Sequence, residues 1–281
     1  MSSAVLFDIE HGSVVDGPGI RTTVFFKGCN LRCAWCHNPE SQSASPQMLF
    51  FADKCRSCGR CKAVCTSPDN CTLCGKCADV CAAGAKRLCG YEMPVEEIVR
   101  NVLLDTPFYG HDGGVTVSGG ECMLQIDALE ELLIKCRQNG VHTAVDTAGN
   151  VPWEYFERVL PYTDLFLYDI KAVTPSLHEK YTGVGNARIL ANFDALVTHG
   201  ADILVRVPLI PSVNDTETEL AAFAALFAKY PSVPVEVLPY HRLGESKAAA
   251  LGLDVTRFDV PDGAAVGEAR KKMLGGKAQS I

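Results

Sequence analysis

The cysteines constrain this chain more than any other feature. There are 14 in 281 residues, and 12 of them fall between Cys29 and Cys89, with only Cys122 and Cys136 beyond. A secreted disulfide scaffold spreads its cysteines through a small chain too poor in apolar residues to build a core. Here 47% of residues are hydrophobic and 21% charged, which is enough for a core without staples and excludes global disorder. The clustered thiols therefore read as metal ligands in a reducing cytoplasm. Met1–Glu10 is not a charged-then-apolar leader and no apolar run reaches the length of a span, so neither secretion nor a membrane is expected. The net charge is −7 with no basic stripe, which argues against nucleic acid as a partner.

Two segments differ in composition. From Asp53 to Cys89 the chain is dense in Cys, Gly, Lys and Arg and short of large apolar residues, so ligand geometry would have to hold it together. It also contains the one internal repeat: Cys55-x2-Cys58-x2-Cys61-x3-Cys65 recurs as Cys71-x2-Cys74-x2-Cys77-x3-Cys81. Elsewhere β-branched runs alternate with helical patterns, as in a parallel α/β fold. Strands are expected over Thr22–Phe26, Val115–Ser118, Val141–Asp146, Leu165–Asp169, Ile203–Pro208 and Val235–Leu238. Helices are expected over Val95–Asp105, Leu124–Gln138, Trp153–Leu160, Ile189–His199 and Thr216–Lys229. In the second helix Leu124, Leu129, Leu132, Leu133 and Cys136 make an apolar face, and Asn139-Gly140 ends it. The division expected is a wound sheet or partial barrel of 1–48 and 90–281 with an insert at 49–89. Sites in such folds collect at the C-terminal ends of strands.

Cys29-x3-Cys33-x2-Cys36 follows the first of these strands. Three thiolates on one short loop can hold three irons of a [4Fe–4S] cube and leave the fourth open to bind and reduce a small molecule. Zinc is the alternative, but a closed zinc site needs a fourth ligand, and His37 is poorly placed beside Cys36.

With Asp16-Gly17-Pro18-Gly19-Ile20-Arg21-Thr22, Gly28-Cys29 and Cys36-His37-Asn38-Pro39, the chain resembles the glycyl-radical-enzyme activating enzymes, relatives of pyruvate formate-lyase activase within the radical S-adenosylmethionine (SAM) enzymes. The resemblance runs from about Leu6 to beyond Gly244. It implies an α/β partial (β/α)6 barrel, an oxidoreductase activity and an oxygen-free setting. It further implies that Cys29, Cys33 and Cys36 hold a [4Fe–4S] cluster with one open iron. SAM bound there would yield a 5′-deoxyadenosyl radical that takes a hydrogen from a glycine of a partner enzyme. Ser118-Gly119-Gly120-Glu121 resembles the family's GGE motif for the methionine amino group, with Cys122 where many relatives have Pro. Asp146, Thr147, Asp169, Lys171, Arg206 and His241 match positions around SAM, the acids also lying near a monovalent cation. Asp16, Gly17, Pro18 and Gly19 are the candidate contact with the partner's glycine loop.

The repeat resembles a bacterial ferredoxin, in which the fourth Cys of each run ligates the other cluster. This pattern implies up to two further [4Fe–4S] clusters, on Cys55, Cys58, Cys61 and Cys81 and on Cys71, Cys74, Cys77 and Cys65. Thr66 and Ala82 stand where Pro is usual, and only five residues separate Cys65 from Cys71, so Cys89 stays open as a substitute ligand and zinc as an alternative. Cys122 reads as a loop thiol and Cys136 as a helix-face hydrophobe. Pyruvate formate-lyase activase lacks such an insert, so the expected partner is a glycyl radical dehydratase, decarboxylase or lyase, with flavodoxin or ferredoxin as electron donor. Two other readings stay open: a radical SAM enzyme acting on a small molecule or peptide, and a non-catalytic iron–sulfur carrier.

Overall fold

The computed structural model describes residues 2–67 and 69–275; the end of the expected barrel segment, 276–281, lies outside them. β1 (Ser3–Ser13) runs antiparallel to β2 (Arg21–Phe26), β3 (Gln47–Phe50) and β4 (Lys86–Cys89) pair only with each other, and β5 (Tyr91–Pro94) pairs with β1. β6 (Gly114–Gly119), β7 (His142–Thr147), β8 (Leu165–Asp169), β9 (Ile203–Leu209) and β10 (Val235–Pro239) complete an eight-stranded sheet of order β10-β9-β8-β7-β6-β2-β1-β5. All six expected strands are present, as β2 and β6 to β10, and they are mutually parallel in chain order. Each crossover therefore steps one strand further the same way, as barrel winding requires, while β2 and β10 do not pair and the barrel stays open.

The helices are α1 (Arg60–Ala63), α2 (Lys76–Asp79), α3 (Val95–Leu104), α4 (Ile126–Gln138), α5 (Trp153–Val159), α6 (Pro175–Thr182), α7 (Ala187–Thr198), α8 (Glu217–Phe227), α9 (Leu243–Ala250) and α10 (Gly263–Leu274). One expectation needs correcting. Leu124 lies in a 3₁₀ turn over Cys122–Gln125 and is 42% exposed; the apolar face of α4 is Ile126, Leu129, Leu132, Leu133 and Cys136. The turn is tight because Glu121 accepts the Met123 N–H at its start, which delays the α-helix by two residues.

Period-two alternation splits the sheet into two faces. Val115 and Val117 on β6, Val145 on β7, Phe166 and Tyr168 on β8, and Val205 and Val207 on β9 pack into the main core with the helices. Each fully buried side chain of this size contributes about 1.5–3 kcal/mol, so this face anchors the sheet. The intervening residues turn to the concave side, and many are polar: Thr23, Thr116, Ser118, Asp146, Asp169 and Arg206. A core-forming sheet thus carries a polar inner strip ending at the strand C-termini.

Candidate functional site

The Cys loop leaves β2 and is held along its length by main-chain bonds. Gly28 N–H donates to Ser41 O at 2.6 Å, Arg32 N–H to Thr182 O at 2.7 Å and Ala34 N–H to Tyr181 O at 2.9 Å. Trp35 anchors it in a second apolar cluster with Ile210, Val213 and Tyr240. Cys29, Cys33 and Cys36 are part-buried. Burial pushes the Cys33 thiol up to about 12, opposed by Lys171 and reinforced by Cys36 and Cys29. Cys29 is pushed up to about 11, again by burial first, and Cys36 is raised by the same cause. Three thiols share one desolvated seat in which their thiolates would repel one another, and Lys171 is the cation facing them. A metal centre would resolve that arrangement by taking the thiolates as ligands. Among the described residues no three His, Cys, Asp or Glu converge as a single-ion site requires.

Beside the loop, the strand ends supply a charged row. Asp146 accepts a hydrogen bond from Ser118 Oγ at 2.7 Å and faces Arg206 Nη1 at 3.5 Å; Lys171 Nζ donates to Asp169 at 2.6 Å. Burial pushes Asp146 up to about 6, against the pull of Arg206 and with the repulsion of Asp169. Burial works against Arg206 and Lys171 too, but Asp146 and Asp169 hold both well protonated. Arg206 Nε and Nη1 are buried without a hydrogen-bond acceptor. Unsatisfied buried donors are rare, and on the polar inner face a bound ligand would satisfy them.

Gly119 and Gly120 act on the protein itself. A Cβ on Gly119 would stand 2.1 Å from Phe26 O, and one on Gly120 2.2 Å from Gly28 O, so only glycine lets the end of β6 lie against the start of the Cys loop. Glu121 is buried. It accepts from Thr147 Oγ1 at 2.8 and 2.9 Å, from Ala148 N–H at 3.1 Å and from Met123 N–H at 3.3 Å, and burial raises it to about 7 against these bonds. Glu121 and Thr147 thus tie the ends of β6 and β7 together. Cys122, expected as a loop thiol, is buried, its Sγ 3.5 Å from Val117 O and Asp146 O; Cys136 is in the core as expected. His241 follows β10 and sets its ring edge-on to His37, centroids 4.2 Å apart. It borders a cleft of about 230 Å³ that also reaches Cys33, Trp35 and Cys36.

The Asp16–Gly19 turn precedes β2 and folds in against the inner strip, where Thr116 Oγ1 donates to Asp16 O at 2.6 Å. Asp16 Oδ2 accepts from Ser13 Oγ at 2.7 Å and Thr23 Oγ1 at 2.8 Å. The residue that shapes the turn is Arg21, which sequence reasoning quoted in the motif without a role. It is 0% exposed and donates to Thr116 Oγ1, Pro18 O, Asp112 O and Val115 O, with His142 Nδ1 at 3.3 Å. Burial lowers it to about 10, and no carboxylate touches it. A cation at the first position of a β-branched strand was the available signal.

A model of the radical SAM superfamily matches residues 23–224. The choline trimethylamine-lyase activating enzyme of Oleidesulfovibrio alaskensis is 37% identical over 270 residues, 89% of this chain and 87% of that one. The trans-4-hydroxy-L-proline dehydratase activating enzyme of Clostridioides difficile is 42% identical over 260 residues, 86% of each chain. The chain belongs to the glycyl-radical-enzyme activating enzymes of the radical SAM superfamily. This activase is accordingly a radical SAM oxidoreductase that cleaves SAM to generate a radical and so activates a partner glycyl radical enzyme. Use of SAM and of iron–sulfur chemistry follows from that membership. A solved domain of a pyruvate-formate lyase-activating enzyme from Bacteroides vulgatus is similar in structure, with 28% identity and a TM-score of 0.50 over 58% of this chain and 94% of that domain.

In the activase's Cys-rich segment the sequence repeat is also a backbone repeat. Ser57 and Leu73 have φ of 51° and 54°, Gly59 and Gly75 of 75° and 78°, and each pair leads into a one-turn helix, α1 or α2. Cys65, Cys71, Cys74 and Cys77 line one small pocket. The Cys81 thiol is lowered by main-chain N–H groups, Lys86 foremost, with Ala85, Ala83 and Gly84 adding to it. Cys89 is set apart from them, buried with Leu49 and Ala250.

Proposed function

We propose that Cys29, Cys33 and Cys36 hold the [4Fe–4S] cluster that cleaves SAM, and that the activated partner is a glycyl radical dehydratase, decarboxylase or lyase. The observation that carries the first part is the shared seat of three desolvated thiols facing Lys171; the second rests on what the relatives are named for. When bound, the cluster supplies the electron that splits SAM into methionine and a 5′-deoxyadenosyl radical, which takes a hydrogen from the partner's glycine. The chain's own part is placement. Arg206 offers its free donors to the SAM carboxylate, and Asp146 and Asp169 provide negative charge for the ammonium and a monovalent cation, with Lys171 balancing them. Gly119, Gly120, Glu121 and Thr147 fix the wall behind the methionine, and His241 with Trp35 lines the cleft for the adenosine. Asp16–Gly19, moulded by Arg21, meets the glycine loop beside the inner strip.

The barrel of 1–48 and 90–281 then works with a ferredoxin-like insert of 49–89 carrying two more [4Fe–4S] clusters. The common pocket of Cys65 with Cys71, Cys74 and Cys77 supports the crossed ligand set, and the N–H groups around Cys81 support a thiolate in the other set with Cys55, Cys58 and Cys61. The insert has seven Lys or Arg against three Asp, in a chain of net charge −7. That local excess favours an acidic donor such as a flavodoxin or ferredoxin.

Anaerobic reconstitution with iron and sulfide, reduction and addition of SAM should yield 5′-deoxyadenosine, and Cys33→Ala should abolish it. A wild type with its clusters intact that forms no 5′-deoxyadenosine would leave the electron-carrier reading in its place.

A further inference from the structure

Glu40 lies four residues after Cys36, and three separate parts of the molecule converge on it. It is 1% exposed. Its Oε1 takes Lys247 Nζ of α9 at 2.9 Å, with Arg87 Nη2 of β4 at 3.9 Å. Its main-chain carbonyl takes Lys27 Nζ from the end of β2 at 2.5 Å and lies 3.9 Å from the Cys89 thiol. Lys27 is also 1% exposed, and its other acceptor is Gln47 on β3, 3.1 Å away. Lys247 reaches Asn38 Oδ1 as well, at 2.6 Å. The helix bearing Lys247 lies flush on the loop, since a Cβ on its Gly244 would stand 2.1 Å from Cys36 O.

A buried carboxylate paired with Lys247, with Lys27 on its carbonyl and half-exposed Arg87 at the rim, is a poor way to gain stability, because desolvation offsets most of the attraction. Its better-attested use is to select one register among several packings. The elements in register here are the end of the Cys loop, α9, and the β3–β4 base from which the Cys-rich segment rises. Trp35 anchors the middle of the loop by apolar packing, whereas the stretch from Cys36 to Gln42 has the ionic junction instead.

We infer that Glu40 is a positioning residue: through Lys247 and Arg87 it locks the Cys36 end of the loop to α9 and to the base of the Cys-rich segment. It fixes where the third thiol sits, and it makes that segment part of the support of the SAM site. The inference rests on the reading above for what the loop holds, but the positioning itself can be measured without it.

The test uses Glu40→Gln, Lys247→Met and Arg87→Gln in the full chain. Hydrogen exchange over residues 28–42 of the protein as isolated should quicken about tenfold in E40Q and K247M and less in R87Q, with β6 to β9 unchanged. In the reconstituted enzyme, the electron paramagnetic resonance signal of the reduced, SAM-bound centre should change shape and the KM for SAM should rise several-fold at equal iron content. Exchange, spectrum and KM all equal to wild type in E40Q would overturn the assignment. Should E40Q fail to fold, K247M and R87Q, altered at part-exposed side chains, decide it by the same measures. A wild type that does not cleave SAM would sink the functional reading alone, because the exchange result stands apart from it.

Discussion

The barrel and the Cys-rich segment of the same chain are held together by different physics. In the barrel, five crossovers bury a continuous core of valine, leucine, isoleucine and phenylalanine between sheet and helices. Between residues 52 and 84, by contrast, Gly75 is the only buried position among the described residues, and the regular structure amounts to one short 3₁₀ turn and two one-turn helices. Apolar burial cannot offset the ordering of some thirty residues there; on the proposed reading, sulfur ligands would. The barrel carries its reactive groups on a scaffold that stands without them. In the Cys-rich segment, on the proposed reading, the ligating cysteines would themselves be the scaffold.

Removing metal anaerobically with a chelator is the sharpest way to test that contrast. The expected outcome is loss of protection and ready proteolysis over residues 52–84, while hydrogen exchange in β6 to β9 stays slow. Equal loss in both regions would erase the distinction.

A smaller effect is expected inside the barrel at Arg21. Replacing it by Ala strands the acceptors Thr116, Pro18, Asp112 and Val115 and should cost about 3 kcal/mol in denaturant unfolding. Because the contacts go to the Asp16–Gly19 turn, glycyl radical yield on the partner should fall more than SAM cleavage without the partner. Equal falls would make Arg21 a core residue only.

The smallest effect is on pH. Glu121 is raised to about 7 by burial, so its carboxyl binds a proton more tightly folded than unfolded. Its contribution is therefore fully present below its ordinary value near 4.5 and is lost as pH rises through 7, at most about 3 kcal/mol. Asp146, raised to about 6, acts in the same direction. The melting temperature of the metal-free barrel should fall between pH 5 and 8, and Glu121→Gln should flatten that fall. A melting temperature that rises over this range would contradict the assignment.

Much of this was legible in the chain before folding. The six parallel strands announced themselves by β-branched runs, and the thiol spacing marked the Cys loop and the repeat. β1 was not, because Asp8, Glu10 and Gly12 break its apolar pattern and its pairing with β2 is irregular at Leu6/Asp8 and Glu10/Ser13. Nor was the inner work of familiar motifs. The glycines before Glu121 read as room for a ligand, yet their missing Cβ atoms make room for Phe26 and Gly28.

Residue order alone settled the donor types, their spacing and the alternation of strands and helices, because periodicity and ligand spacing are local properties of a chain. Which groups meet was decided only in three dimensions. Asp146 on β7 and Arg206 on β9 are 60 positions apart and come to 3.5 Å because both side chains turn to the inner face and reach across β8, which lies between their strands. Glu40 and Lys247 are over 200 apart and come to 2.9 Å because α9 folds back over the Cys loop. Burial then sets their charges, and burial belongs to the assembled fold rather than to any stretch of sequence.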